Sequence, residues 1–260
     1  MIQVSNFCKA YDNALAVDNL SFEVAPGQVL GLVGPNGAGK TTTLRALLGI
    51  IPSSGGNLSV AGYDLARQPL QVKQHAAYVP DDPQLFHDLS VEQHLTFTAS
   101  AYAVEDAENK IRRLLGRFEL EEKRHTPASD LSRGMRQKLA ICCAYLYDPA
   151  ALLLDEPMTG LDPPGIRNLK DSIVERADEG AAVIISSHLL AMVEDICTHV
   201  LILSRGEKRF LGTIAELRSR FANAEGDDDS AENTSLENIF FRAIEATPED
   251  SDAVAQVAGA

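Results

Sequence analysis

Apolar positions along this chain switch repeatedly between a spacing of two and a spacing of three to four. Residues 20–24 and 29–33 are short β-type runs separated by Ala25, Pro26 and Gly27, and the second runs into a glycine-rich stretch followed by KTTTLRALLG. The pattern predicts a strand, a loop and a helix, with the helix stopped at Gly49 ahead of Pro52. Residues 57–60 and 76–79 predict two more strands. From 91 to 118 the pattern turns helical in two segments, VEQHLTFTASAY and EDAENKIRRLLGRF, which predict a helical subdomain at about 85–147.

The rest of that subdomain is a third helix. Met135, Leu139, Cys142 and Leu146 recur at spacings of four, three and four, which is one helix face. After Pro149 comes ALLLDE, an apolar run with the length of a strand buried on both sides. Asp162 then stands as an N-cap with Pro163 at the first helical position, and Ile166, Leu169, Ile173 and Val174 form the expected buried stripe. A second buried strand, AAVIISS, follows. Helices alternating with buried strands predict an α/β fold with a parallel sheet.

The chain ends differently. EGDDDSAE, at 225–232, has little to bury and predicts an acidic linker over 225–233. Thr234 and Glu237 then have capping-box spacing, and Leu236, Ile239, Phe240, Ala243 and Ile244 make an apolar stripe, so a docked helix and a flexible tail are expected over 234–260. Residues 1–224 are the main domain.

Composition sharpens this division. The 260 residues include 45% hydrophobic and 23% charged side chains, enough apolar material for one sizeable core. Lys and Arg number 23 against 37 Asp and Glu, for a net −14, of which −9 falls in residues 225–260. A body with no basic excess argues against nucleic-acid partners, because nothing displaces phosphate counterions. Cys8, Cys142, Cys143 and Cys197 lack metal-ligand spacing and are expected as reduced core residues. Neither a targeting signature nor a membrane span is read. The longest uncharged stretch, 46–63, is broken by Pro52 and by Gly55 and Gly56.

GPNGAGKT, from Gly34 to Thr41, carries the clearest chemistry. It is an eight-residue phosphate-binding loop placed where such a loop works, after a strand and opening a helix. Gly34, Gly37 and Gly39 let backbone N–H groups converge on phosphate oxygens, and the helix N-terminus adds its positive end. Lys40 is suited to the β- and γ-phosphates and the Thr41 hydroxyl to Mg²⁺. Asp155 ends ALLLD and aims a carboxylate at the same loop, a natural magnesium partner; Glu156 beside it is suited to act as general base on the attacking water. In LSRGM, Ser132 and the Gly134 N–H form a second anion site at a helix start, although a serine there is also a routine N-cap.

The order GPNGAGKT, LSRGM, LLLDEP, GLD, SSH resembles the nucleotide-binding subunit of an ATP-binding cassette (ABC) transporter, over roughly residues 2–212. The resemblance implies a P-loop NTPase with a mainly parallel sheet core, an antiparallel β subdomain and a helical subdomain. It implies an ATPase working as a head-to-tail dimer, most simply a homodimer, with ATP and Mg²⁺ as cofactors. The loop residues Gly34, Pro35, Asn36, Gly37, Ala38, Gly39, Lys40, Thr41 and Thr42 would hold the nucleotide, and Ser132 and Gly134 of one subunit would cover the γ-phosphate held by Lys40 of the other. Tyr11 would stack on adenine, Asp162 would line the dimer seam, and His188 would contact the γ-phosphate. The partner would be a separate membrane permease met by the region around 79–95, with the ATPase peripheral on the cytoplasmic face. TSLENIFFRAIE resembles a C-terminal element of exporter-type members.

Three positions depart from the family pattern. Asp81 replaces the usual glutamine after the strand AYVP, so its carboxylate either touches Mg²⁺ or is an ordinary turn carboxylate. Arg133 replaces the second glycine of the signature and either faces solvent, the favoured reading, or adds charge near the phosphate, and Met135 replaces its glutamine. A soluble cassette ATPase is the alternative; its translation type carries two cassettes and its DNA-maintenance type a long coiled coil, whereas here a single loop lies about 90 residues before LSRGM. A small-molecule kinase would leave LSRGM, GLD and the SSH histidine unexplained. Histidines 75, 87, 94, 125 and 199 have no ligand-like spacing, and Asp227 to Asp229 are expected to be a solvated run rather than a metal site.

Overall fold

The computed structural model describes residues 1–12, 14–188, 190–222 and 236–245. The predicted acidic linker, the capping Thr234 and the tail beyond 245 lie outside the described residues.

Two sheets organise the chain. The first is antiparallel and built from β1 (Ile2–Tyr11), β2 (Ala14–Val24), β4 (Gly55–Val60) and β5 (Tyr63–Asp64) in the order β2-β1-β4-β5. The second holds β3 (Val29–Val33), β6 (Ala76–Val79), β7 (Ala151–Asp155), β8 (Ala182–Ser187), β9 (His199–Ser204) and β10 (Glu207–Thr213). Its order is β10-β9-β3-β8-β7-β6, parallel throughout except for the edge strand β10. An α/β fold with a mainly parallel sheet and an antiparallel β subdomain is what the sequence implied.

The strands β3, β7 and β8 read as unbroken apolar runs because both faces of this sheet are covered. Leu152 and Leu154 of β7, with Val183 and Ile185 of β8, pack on one side among the helices α3 (Val91–Ala101), α4 (Ala107–Arg117), α5 (Arg133–Tyr145) and α6 (Pro163–Asp178). Leu153 and Ile184, one residue out of phase, pack on the other side against α1 (Lys40–Leu47) and the antiparallel sheet. Period two thus divides each strand between two cores.

Apolar spacing alone predicts no strand over 2–11, and the reason is local. Ser5 and Asn6 interrupt the apolar alternation, Asn6 has φ 52°, and β1 changes register against β2 between Val4 and Phe7. The bulge returns Phe7 to full burial, so the strand is present with its pattern shifted. The short α2 (Pro69–His75), α7 (Leu190–Ile196), α8 (Ile214–Ala222) and strands β5, β9 and β10 were also unassigned.

In α6, Val174 is exposed, contrary to the expected stripe. Its place in the seam is taken by Ser172, fully buried because its Oγ meets the Tyr145 hydroxyl at 3.1 Å and donates to the Leu169 carbonyl. Asp162 does occupy the N-cap position of α6, but its side chain makes no capping hydrogen bond; its Oδ1 lies 3.5 Å from Lys138 Nζ on α5. Of the four free cysteines, Cys142 and Cys197 are buried while Cys8 and Cys143 are half-buried. The C-terminal α9 (Leu236–Glu245) places Ile239, Phe240 and Ala243 in the core shared with α7 and α8.

Candidate active site

The turn from β3 into α1 is shaped by two different glycine requirements. Gly37 and Gly39 have φ of 80° and 103°, which side-chain-bearing residues avoid. Gly34 has no such φ; a Cβ there would lie 2.2 Å from the Leu203 carbonyl oxygen, so it is needed for close approach rather than for the curl expected of it. Pro35, Asn36 and Gly37 are exposed at the rim, and Ala38 is buried.

Lys40 is 7% exposed, and its ammonium donates to the carbonyls of Gly34 at 2.7 Å and Pro35 at 3.1 Å. Burial pushes its pKa down, while Glu156 and then Asp155 hold it up. The loop's own carbonyls keep this charge in place at the spot that an incoming phosphate would share. Thr42 is half-buried beside it in the first turn of α1.

Asp155, at the end of β7 and 3% exposed, is gripped on both oxygens. Oδ1 accepts from Thr41 Oγ1 at 3.2 Å and Ser186 Oγ at 2.5 Å; Oδ2 accepts from the Tyr78 hydroxyl at 3.1 Å. Tyr78 in turn accepts from Arg45 Nε at 3.4 Å. Burial pushes the Tyr78 pKa up to about 12, against the opposing pull of Arg45. Thr41 and Asp155 therefore present hard oxygen donors side by side, the donor set that suits Mg²⁺. Tyr78, Ser186 and Arg45 were not singled out in the sequence; the AYVP and SSH segments contain the first two, but nothing in their spacing announces a shared carboxylate.

Glu156 follows with φ 47°, an uncommon conformation for a residue with a side chain. It is held by its N–H, which reaches both the carbonyl and the Oγ of Ser186 at 3.2 and 3.1 Å. Glu156 Oε2 meets His188 Nδ1 at 2.8 Å, and His188 is exposed. A carboxylate on Nδ1 fixes the proton there and leaves Nε2 as the other polar face of the ring.

Further along, Ser132 caps α5 by accepting from the Met135 N–H at 3.3 Å, and Gly134 packs so tightly on the Gly160 carbonyl that a Cβ would approach it to 2.4 Å. Arg133 is half-exposed but does not simply face solvent: its Nη2 lies 3.1 Å from Asp81 Oδ1. Asp81 also lines, with Thr41, Tyr78 and Asp155, a cavity of about 870 Å³ that continues under α3 and α5 to Tyr102 and Cys143. Tyr11 is exposed at the end of β1 with Lys9 Nζ 4.7 Å from its ring centroid. Thus Lys40, Thr41, Asp155, Glu156 and His188 converge, whereas no contact joins Tyr11, Ser132, Gly134 or Asp162 to them within the described residues.

A sequence model of the ABC transporter family matches residues 17–159. The chain belongs to that family. It is 35% identical over 253 residues to the ABC-type transporter ATP-binding protein EcsA of Bacillus subtilis (strain 168), covering 96% of this chain and 98% of that protein. It is 34% identical over 219 residues to Nod factor export ATP-binding protein I of Cupriavidus metallidurans, covering 84% of this chain and 72% of that one. A solved ATP-binding subunit of an ABC transporter superposes with a TM-score of 0.86 at 32% identity, covering 94% of this chain and 99% of that chain. The chain is accordingly an ATP-binding ABC subunit and an ABC-type transporter ATPase. Such subunits work with permease partners, and no described helix is long and apolar enough to cross a membrane.

Proposed function

We propose that this chain binds MgATP in a head-to-tail homodimer and hydrolyses it to drive a separate membrane permease in export, from the cytoplasmic face of the membrane. The observation that carries the reading is the split of the site. One chain brings together the phosphate loop, Lys40, Thr41, Asp155, Glu156 and His188, while among the described residues Ser132 bonds within its own helix start and Asp162 pairs with Lys138 instead of joining them.

In this reading the loop N–H groups from Gly34 to Thr42 receive the β- and γ-phosphates, and Lys40 turns from the loop carbonyls to their oxygens. Thr41 and Asp155 would hold Mg²⁺, which when bound would neutralise phosphate charge. Glu156 accepts the proton of a water whose oxygen bonds to the γ-phosphorus as the bond from that phosphorus to the bridging oxygen breaks, leaving ADP and phosphate. His188 keeps Glu156 aimed through Nδ1, and its contact with the γ-phosphate uses the doubly protonated ring, in which Nδ1–H donates to Glu156 and Nε2–H to a phosphate oxygen. Tyr11 stacks on adenine, while the partner's Ser132 and Gly134 close over the γ-phosphate and Asp162 lines the seam.

Export is supported by the name of one relative and by the TSLENIFFRAIE segment, which includes α9. Docking of the permease on the region around 79–95 is supported by the exposed Phe86, whose ring meets that of the exposed Phe97 edge to face at 5.7 Å.

Mixing two inactive variants tests the dimer. Lys40→Ala and Ser132→Arg each spoil a different half of the site, so an equimolar mixture should recover activity that neither has alone. No recovery, with both variants folded and dimer-competent, rejects the shared site. Purification from membranes with a permease chain tests coupling; isolation only without one favours a soluble ATPase.

A further inference from the structure

Two positions that depart from the ABC pattern, Asp81 and Arg133, are each other's partners. Asp81 follows β6 and Arg133 opens α5, 52 residues later in the chain, yet Arg133 Nη2 lies 3.1 Å from Asp81 Oδ1. The contact is one corner of a three-way junction. The Arg133 stem lies along the turn at Gly160, where an added Cβ would come within 3.3 Å of its Cγ and Cδ. Gly134, next in sequence, packs on the carbonyl of that same glycine. One helical turn further, the buried Gln137 reaches the Pro80 carbonyl at 3.5 Å with Nε2, while its Oε1 has no hydrogen-bond partner among the described residues.

Electrostatics explain why these two substitutions belong together. β6 and β7 run parallel with Val79 beside Leu154, so Asp81 and Asp155 leave neighbouring strand ends and line one cavity. A second unpaired carboxylate there would crowd negative charge beside Asp155 and Glu156 and beside the phosphates of a bound nucleotide. Arg133 neutralises it. With one carboxylate oxygen engaged by a guanidinium, Asp81 has the arrangement of a positioning group.

We propose that Arg133 and Asp81 form a charge clamp that sets Ser132, Gly134 and the Gly160–Asp162 turn as one preassembled surface for the partner subunit. This rests on the head-to-tail reading above. Preassembly matters because any freedom left in that surface must be removed when the dimer closes, which weakens closure. The pair is half-exposed on both sides, so its effect is modest, on the order of a two- to fivefold change in the equilibrium.

The test uses full-length protein with Glu156→Gln to prevent turnover, reading ATP-driven dimerisation by light scattering and ADP affinity, with and without Mg²⁺, by titration. Asp81→Asn and Arg133→Ala should each raise the ATP concentration for half-dimerisation about two- to fivefold, with ADP affinity and its Mg²⁺ dependence unchanged. The double variant should be no worse than the worse single one, and Arg133→Lys should retain most of the wild-type behaviour. Additive effects, tighter dimerisation, or a loss of Mg²⁺-dependent ADP affinity in Asp81→Asn would overturn the clamp. If the parent itself fails to dimerise with ATP, the head-to-tail reading fails; if it dimerises and the variants match it, only the clamp does.

Discussion

Glu156 Oε2 sits 2.8 Å from His188 Nδ1, while the Glu156 backbone is held at φ 47° by two contacts from its N–H to Ser186. The carboxylate is thus fixed from both ends: the main chain by β8, the side chain by the residue that follows β8. A strained backbone that two neighbouring groups over-determine is a way of aiming a side chain, here beside the lysine and the magnesium-suited pair. Asp155 shares this design, braced by Ser186 of β8 and Tyr78 of β6.

Glu156→Gln should therefore keep the geometry and lose the chemistry. The glutamine Oε1 can still accept from His188 Nδ1, so nucleotide binding should be retained, while turnover falls by about 10²–10⁴ as the general base is removed. ATP-bound dimer should accumulate. Turnover near wild type in a steady-state ATPase assay rules out Glu156 as the base.

Tyr78→Phe removes the hydroxyl that donates to Asp155 Oδ2. That leaves a buried carboxylate oxygen without its donor, at a cost of about 1–3 kcal/mol in unfolding free energy. Because the lost group orients a metal-suited ligand, the Mg²⁺ concentration for half-maximal ATPase should rise about tenfold or more. ADP affinity measured without metal should not move. An unchanged Mg²⁺ requirement would mean that Thr41 and Ser186 hold Asp155 unaided.

What the sequence made legible was chemistry tied to short spacing. The phosphate loop, the acidic pair at the end of β7 and the order of motifs are all local, and their residues lie where the motifs place them. Contacts that join distant segments were not legible. Nothing at Tyr78 or Arg45 signals a path to Asp155, and Arg133 read as a solvent residue because its partner lies 52 positions away. The same holds for the fold: buried strands stood out as apolar runs, whereas β1 was hidden by a bulge and the edge strand β10, covered on one face only, by its polar half. Gly34 and Gly134 needed the structure for another reason, since a close approach from another segment leaves no mark on the residues nearby.

Gly134→Ala and Gly116→Ala make an internally controlled pair. Both sit in helices, where alanine is intrinsically favoured over glycine by about 0.8–1 kcal/mol. At Gly116 in α4 an added Cβ meets nothing within 4 Å, so the urea midpoint should rise. At Gly134 the Cβ would lie 2.4 Å from the Gly160 carbonyl oxygen, and overpacking of about 1–3 kcal/mol should outweigh the gain. Opposite shifts of the two midpoints are expected; a stabilised Gly134→Ala would mean that the Gly160 turn yields freely.

Stability should fall steeply on the alkaline side. Burial pushes the Tyr145 hydroxyl from 10.0 up to about 12, and the thiols of Cys143 and Cys197 from 9.0 up to about 11 and about 12. In each case the native state holds its proton where the unfolded chain releases it. The contribution is therefore complete below the ordinary value and lost as pH rises through the native one, from about pH 9 to 12. At about 1.4 kcal/mol per pH unit for each group, the combined loss reaches several kcal/mol. Tyr145→Phe removes one of these protons cleanly, because Ser172 Oγ keeps its bond to the Leu169 carbonyl. Thermal melts from pH 8 to 11 should show a smaller decline in that variant above pH 10. An equal decline in both proteins would place the alkaline sensitivity elsewhere.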